Sequence, residues 1–197
     1  SASLVGSEMC IRDSPIMLMQ AISAQVIRHK RVMSDHCVII CPSICNGYFH
    51  DELWPYTREM YEMFQHDFMN TLPDMNRYGE YFATNEEYIR KYRYCNAFHP
   101  FHGFSMISCG HIAEMNTSAI YICGAQEPGY ARGMGLKTRA TIEEALEDAK
   151  KKFVGPNPNI LALPQAFKLG AVHLMMKDEV YTGKGAEDCA CAAHMHH

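Results

Sequence analysis

The residues whose spacing first suggests chemistry are histidines and a cysteine around position 100. His99 and His102 enclose a Pro-Phe pair, and Cys109 and His111 follow shortly after. A helical zinc pair needs histidines at i and i+4 on an unbroken helix, whereas Pro100 interrupts any helix between these two. We therefore predict no metal site here. The segment is either a polar cluster that faces a ligand-binding cleft or a set of side chains that simply pack in the fold.

Two other patterns suggest ligands but have simpler interpretations. The glycine-rich stretch 129–135 lacks the G-x-G-x-x-G spacing between a strand and a helix that a dinucleotide site requires. Cys189 and Cys191 precede three histidines near the C-terminus, but the small, polar composition there is typical of a disordered tail. We expect neither pattern to bind a ligand.

Polar residues follow two short apolar runs. Asn46 and His50 come after the run at 37–41, and Gln126 and Glu127 come after the run at 119–123. Open α/β sheets bind ligands beyond the carboxyl ends of their parallel strands. These residues are therefore candidates for a substrate or domain contact. For His50, capping of the helix that follows is an alternative role that the sequence leaves open.

The apolar pattern predicts the elements that must position these residues. Short apolar runs predict core strands at 38–41, 120–123 and 160–163, with a fourth candidate at 171–176. Apolar stripes and capping patterns predict helices from Pro15 behind an N-cap at Ser14, over 50–69, from Thr84, over 103–115 and over 141–153. The alternation indicates an α/β fold, a three-layer sandwich with a mostly parallel sheet flanked by helices.

Composition excludes several classes of protein. The net charge is −4 without any basic block, which argues against nucleic acid as a partner. No apolar run approaches the ~20 residues of a membrane-spanning helix. The nine cysteines are odd in number and several occupy core-like positions, so we expect free thiols and a cytoplasmic location.

The chain divides into three parts by composition. Residues 1–13 resemble a spurious peptide that arises when adapter sequence is translated, so we expect an artefact or a disordered segment. Residues 14–180 form the predicted α/β domain, and residues 181–197 a disordered tail. On this interpretation the given sequence starts in the middle of a longer protein, and a preceding domain is missing.

Two segments together resemble the C-terminal domain of the nickel-dependent lactate racemase family. The first is CVIICPSICNGYFHDELW at 37–54. The second begins at Ser118, runs through GYARGMGLKTRATIEEALEDA to VGPNPNILALP and ends at Pro164. The order and spacing of these segments carry the resemblance, which covers about 15–177; no single motif is specific.

The resemblance implies an isomerase that interconverts the enantiomers of a small 2-hydroxy acid. Its cofactor is a nickel-pincer nucleotide that performs hydride transfer, with two histidines exchanging the hydroxyl proton. In the family those groups belong to the N-terminal domain. The resemblance thus implies a missing N-terminal catalytic domain as the partner, no catalytic or metal residue in this chain, and no activity of this fragment alone.

The family's C-terminal domain also lends polar groups from its first helix, in the pattern aromatic, Gln, then Lys three positions later. Here Met19, Gln20 and Ser23 occupy those positions. Only Gln20 matches. The missing lysine puts lactate itself in doubt as the substrate, because a small carboxylate needs a charged partner in a dry site.

The cleft-facing candidates are Gln20, Asn46, His50, His102, Gln126 and Glu127. We also expect exposed apolar surface on this side, with Phe101, Phe104 and Tyr130 as candidates. A non-catalytic α/β ligand-binding or scaffold domain is the alternative function.

Overall fold

The computed structural model describes residues 14–64 and 71–163, which form helices on both faces of a parallel sheet. Its strands are β1 (Val38–Pro42), β2 (Ala119–Cys123) and β3 (Lys137–Arg139), in the order β1-β2-β3. Both strand pairs are parallel, and Ile40 of β1 lies opposite Tyr121 of β2.

Helices precede, connect and follow these strands. They are α1 (Pro15–His29), α2 (Thr57–Phe64), α3 (Thr71–Thr84), α4 (Glu86–Tyr94), α5 (Pro100–Met115), α6 (Pro128–Gly133) and α7 (Ile142–Ala149). A π-helical turn, Lys150–Val154, continues α7. Within residues 14–64 and 71–163, no helix is both long and apolar enough to cross a membrane.

The side chains of β2 divide the core into two layers, because successive residues of a strand point to opposite faces. Ile120 and Ile122 belong to the larger core, which includes buried residues of α1 and α5. Tyr121 and Cys123 pack instead with α7. Helices therefore cover both faces of the sheet, which confirms the predicted α/β fold with a parallel sheet flanked by helices.

Local sequence signals set several element ends. The first helix begins at Pro15 as predicted, although the Ser14 hydroxyl makes no capping bond. Thr141 caps α7 by accepting the N–H of Glu144 at 3.2 Å. At the other end, Gly155 has a φ of +77°, a left-handed conformation that stops a helix and that glycine adopts without strain.

The prediction of a strand at 160–163 is wrong. This stretch is irregular, and Ile160 remains 68% exposed. The third strand is instead the short, polar β3, which lies at the edge of the sheet beside β2. An apolar run forms a strand only where a neighbouring strand offers backbone partners, and apolar periodicity does not report that. The fourth candidate, 171–176, lies outside the described residues.

Two predicted helix boundaries also require correction. Thr84 ends α3 rather than opening a helix, and Asn85 is the N-cap of α4, with its side chain accepting the N–H groups of Glu87 and Tyr88. The helix predicted over 50–69 begins only at Thr57, because the chain before it makes turns.

A partly buried carboxyl lies at the end of α5. Glu114 Oε1 is 2.5 Å from the point where a Cβ on Gly135 would lie, and Glu114 Oε2 has no hydrogen-bond partner among the described residues. Burial raises the pKa of Glu114 to about 7 from an ordinary value of 4.5. The ionised form is therefore disfavoured in the folded chain.

We expect the native chain to lose stability as the pH rises, because ionisation of Glu114 is disfavoured in the folded state. Glu114→Gln should abolish this loss. Below pH 4.5 the carboxyl is protonated in both states. Between pH 4.5 and about 7 the unfolded state ionises first, so stability falls as the pH rises, and above about 7 the loss is constant. Because the carboxyl is only partly buried, we expect a difference of about 1 kcal/mol. Urea unfolding followed by the fluorescence of Trp54, the single tryptophan, measures it. Parallel pH profiles for the variant and the native chain would contradict the expectation.

Candidate functional site

The loops that follow β1 and β2 are joined by backbone hydrogen bonds at the carboxyl edge of the sheet. The N–H of Gln126 donates to the carbonyl of Ile44 at 2.7 Å, and the N–H of Glu127 donates to the carbonyl of Cys45 at 3.2 Å. Asn46 is the next residue of the first loop. Asn46, Gln126 and Glu127 are all exposed. The structure therefore brings these three predicted residues to one edge.

The Tyr130 side chain packs against the loop that follows β1 and fixes its conformation. Its ring lies against Gly47, whose φ is +74° and where an added Cβ would meet the Tyr130 ring at 2.1 Å. The same ring contacts those of Phe49 and Tyr61, with centroid distances of 5.9 and 5.4 Å. Tyr61 also donates its hydroxyl hydrogen to the Tyr130 carbonyl at 3.1 Å. The loop thus has a defined shape, which only glycine at 47 permits.

The rings of His50 and His102 both contact the indole of Trp54. The Trp54 ring makes an edge contact with His50 at 5.7 Å and stacks near-parallel to His102 at 6.5 Å. Phe98 lies parallel to the indole at 4.9 Å, and its N–H donates to the Leu53 carbonyl at 2.7 Å. Sequence reasoning missed Phe98, since an aromatic residue in a loop carries no periodic signal.

Two of the site candidates also have local structural roles. His50 Nδ1 accepts the N–H of Leu53 at 3.4 Å, and Asn46 Oδ1 accepts the N–H of Tyr48 at 3.0 Å. Both bonds stabilise turns in the loop after β1. His50 therefore caps a turn within this loop rather than the start of α2, which begins further on.

Gln20 lies apart from this group. It is half-buried on α1, and its neighbour Met19 packs against Gly110 of α5. Gly110 is about two helical turns, or ~12 Å, beyond His102. Ser23, three positions further along α1, is fully buried and presents no polar group to solvent.

The imidazoles of His99 and His102 have different partners. His99 caps α5 through Nδ1 and contacts Tyr92, whereas His102 stacks on Phe98. Across residues 14–64 and 71–163, no three His, Cys, Asp or Glu side chains lie close enough to share a metal ion. The described residues therefore do not fit a nickel ligand set.

Burial controls the protonation of the reactive groups near this edge. It raises the pKa of the Cys41 thiol to about 12, so this thiol is not a nucleophile near neutral pH. Burial also lowers the pKa of His102, which favours the neutral imidazole. The histidine can then accept or donate a hydrogen bond but brings no positive charge.

The apolar candidates behave differently from one another. Phe101 is 48% exposed, as predicted, and Tyr130 is half-buried against Gly47. The expectation for Phe104 is wrong, because its ring is fully buried in the core. Residues three apart lie on the same side of a helix, so helical spacing alone does not distinguish these two rings; Phe101 lies in the first turn of α5, at the end of the helix.

Two surface depressions lie elsewhere, with volumes of about 370 and 180 Å³. The larger is lined by charged residues around Arg139 and Asp148, which pair with each other at 2.6 Å. None of the six candidate residues lines either depression. We favour the carboxyl edge of the sheet over the depressions because loops from two strands and the start of α5 supply its aromatic and polar groups.

The fold and this edge define a helix-flanked parallel α/β domain with an aromatic and polar surface beyond its strand ends. The comparisons with known proteins do not narrow this class, since no family model, curated protein or solved structure matches the chain.

Proposed function

We propose that this chain is the cleft-closing C-terminal domain of a nickel-pincer-dependent 2-hydroxyacid racemase or epimerase, and that it is inactive alone. The observation that supports this most is the convergence at one sheet edge. Backbone hydrogen bonds from Gln126 and Glu127 join the loop after β2 to the loop after β1. The rings of His50 and His102 both contact Trp54. Parallel α/β sheets bind their ligands at such edges.

In this proposal the chain supplies a surface rather than the reaction's hydride chemistry. The nickel-pincer nucleotide would be held by a separate N-terminal domain, and when bound it would supply hydride transfer at the carbinol carbon. This chain would cover the bound 2-hydroxy acid and exclude water. His102, kept neutral by burial, would contact it as a hydrogen-bonding group of the cleft.

The test compares this chain with its parent enzyme, encoded with the upstream domain. We expect the parent to racemise at least one 2-hydroxy acid, and the chain alone to turn over none. In the parent, His102→Ala should lower turnover roughly tenfold, because one hydrogen bond to the substrate is lost. His36→Ala, at an exposed histidine ahead of β1, should leave turnover unchanged. Gln20 lies apart from the other candidates, but the resemblance still implies that Gln20→Ala lowers turnover while leaving the melting temperature nearly unchanged.

Racemisation by the chain alone would contradict the proposal, as would a parent that racemises no 2-hydroxy acid. A non-catalytic ligand-binding domain is the second candidate. The open aromatic stack on Trp54 favours it, since planar rings can bind there without any catalytic group. Ligand binding by a parent without turnover would support this second function.

A further inference from the structure

Three rings at the candidate edge form a near-parallel stack. The planes of Trp54 and Phe98 differ by 6°, those of Phe98 and His102 by 23°, and those of Trp54 and His102 by 20°. The centroids are 4.9, 5.1 and 6.5 Å apart, respectively. We call Trp54, Phe98 and His102 the ring stack. Near-parallel rings at these distances attract one another by offset stacking.

The ring stack is anchored on one side and open on the other. Trp54 is only 5% exposed, whereas Phe98 is 43% exposed. The backbone holds Phe98 through its bond to Leu53, and Asn96 adopts a left-handed φ of +60° in the turn before it. A further planar ring can therefore stack on an ordered surface, with little loss of side-chain freedom.

Trp54 also has an unused hydrogen-bond donor. Its Nε1–H is buried and has no acceptor among the described residues. A buried donor without an acceptor costs free energy, which a ligand oxygen can recover. The carboxylate and hydroxyl of a 2-hydroxy acid are acceptors of this kind.

The charges at this site do not suit a small carboxylate. Trp54 and Phe98 carry no charge, and burial favours the neutral form of His102. Lactate offers only a methyl group besides its polar atoms, so its recognition depends on charge pairing. A ligand bound here must instead gain affinity from ring contact.

We propose that the ring stack binds the aromatic ring of an aryl-substituted 2-hydroxy acid, and that this class, rather than lactate, is the substrate. This inference rests on the proposed function. The aryl ring stacks on the exposed side of Phe98 and His102, and a small displacement of the indole brings its buried Nε1–H to an oxygen of the acid.

The test uses the purified chain and the single indole N–H resonance that one tryptophan provides. Titration with 3-phenyllactate should shift this resonance saturably, and at concentrations roughly tenfold lower than lactate requires. The size-matched 3-cyclohexyllactate should bind roughly threefold or more weakly than 3-phenyllactate, because it lacks a π-face.

A matched pair of variants separates the ring stack from general apolar surface. Phe98→Leu should weaken binding of 3-phenyllactate roughly three- to tenfold. Tyr94→Leu, at an exposed aromatic residue outside the ring stack, should change it less than twofold. An indole resonance unmoved by 3-phenyllactate overturns the inference. Equal effects of the two variants, or equal binding of the cyclohexyl analogue, also overturn it.

The failures of the two proposals are distinguishable. If 3-phenyllactate binds but the parent enzyme racemises no 2-hydroxy acid, the proposed function fails and the ring site stands. If the parent racemises lactate but not 3-phenyllactate, the substrate inference fails and the proposed function stands.

Discussion

Gly47→Ala is expected to lower the free energy of unfolding by about 2–5 kcal/mol. The left-handed φ of +74° costs a residue with a Cβ about 1–2 kcal/mol. The new methyl group would also meet the Tyr130 ring at 2.1 Å. Moving that ring disturbs its packing on Phe49 and Tyr61, an overpacking cost of about 1–3 kcal/mol. Urea unfolding monitored by Trp54 fluorescence measures the change.

Gly129→Ala is the matched control. Nothing lies within 4 Å of the position of its Cβ, and the residue is in α6, so alanine there should be neutral or slightly stabilising. In the double variant Gly47→Ala, Tyr130→Ala the clash is absent but the φ strain remains. We therefore expect less destabilisation than the two single changes predict together. A Gly47→Ala chain as stable as the native chain would show that Tyr130 does not fix this loop.

Phe104→Ala is expected to lower the free energy of unfolding by about 3–5 kcal/mol. Phe104 is fully buried, and its ring meets that of Phe82 edge-on at a centroid distance of 5.4 Å. Phe82 is itself fully buried on α3. Removing the Phe104 ring therefore leaves a cavity between α3 and α5 that both helices line. The measurement is the same urea unfolding transition.

The neighbouring phenylalanine is the control for this core substitution. Phe101 is about half exposed, and Phe101→Ala should cost no more than about 1 kcal/mol, since little apolar area leaves the core. Similar losses for the two variants would mean that Phe104 is not the core residue that the structure shows. The pair also tests the correction of the sequence-based expectation that placed both rings on the exposed edge.

The candidate site was predictable as far as chain order and strand direction determine it. Asn46, Gln126 and Glu127 follow strands whose runs are visible in the sequence, and parallel strands end at a common edge. The contacts that His50 and His102 each make with Trp54 were not predictable. They depend on Trp54 and Phe98, which come from loops 44 positions apart, and ring orientation between such loops depends on long-range packing.

The sequence was enough to predict β1, β2, the start of α1 and the cap of α7. Their signals are local: an apolar run between turns, Ser14-Pro15, and a threonine hydroxyl three residues before the N–H that it accepts. Tertiary structure alone decided that the polar β3 completes the sheet while Ile160 stays exposed. It also decided that Phe104 is buried and Phe101 is not. The physical reason is that capping and periodicity act within a few residues, whereas strand partners and burial are set by elements distant in the chain.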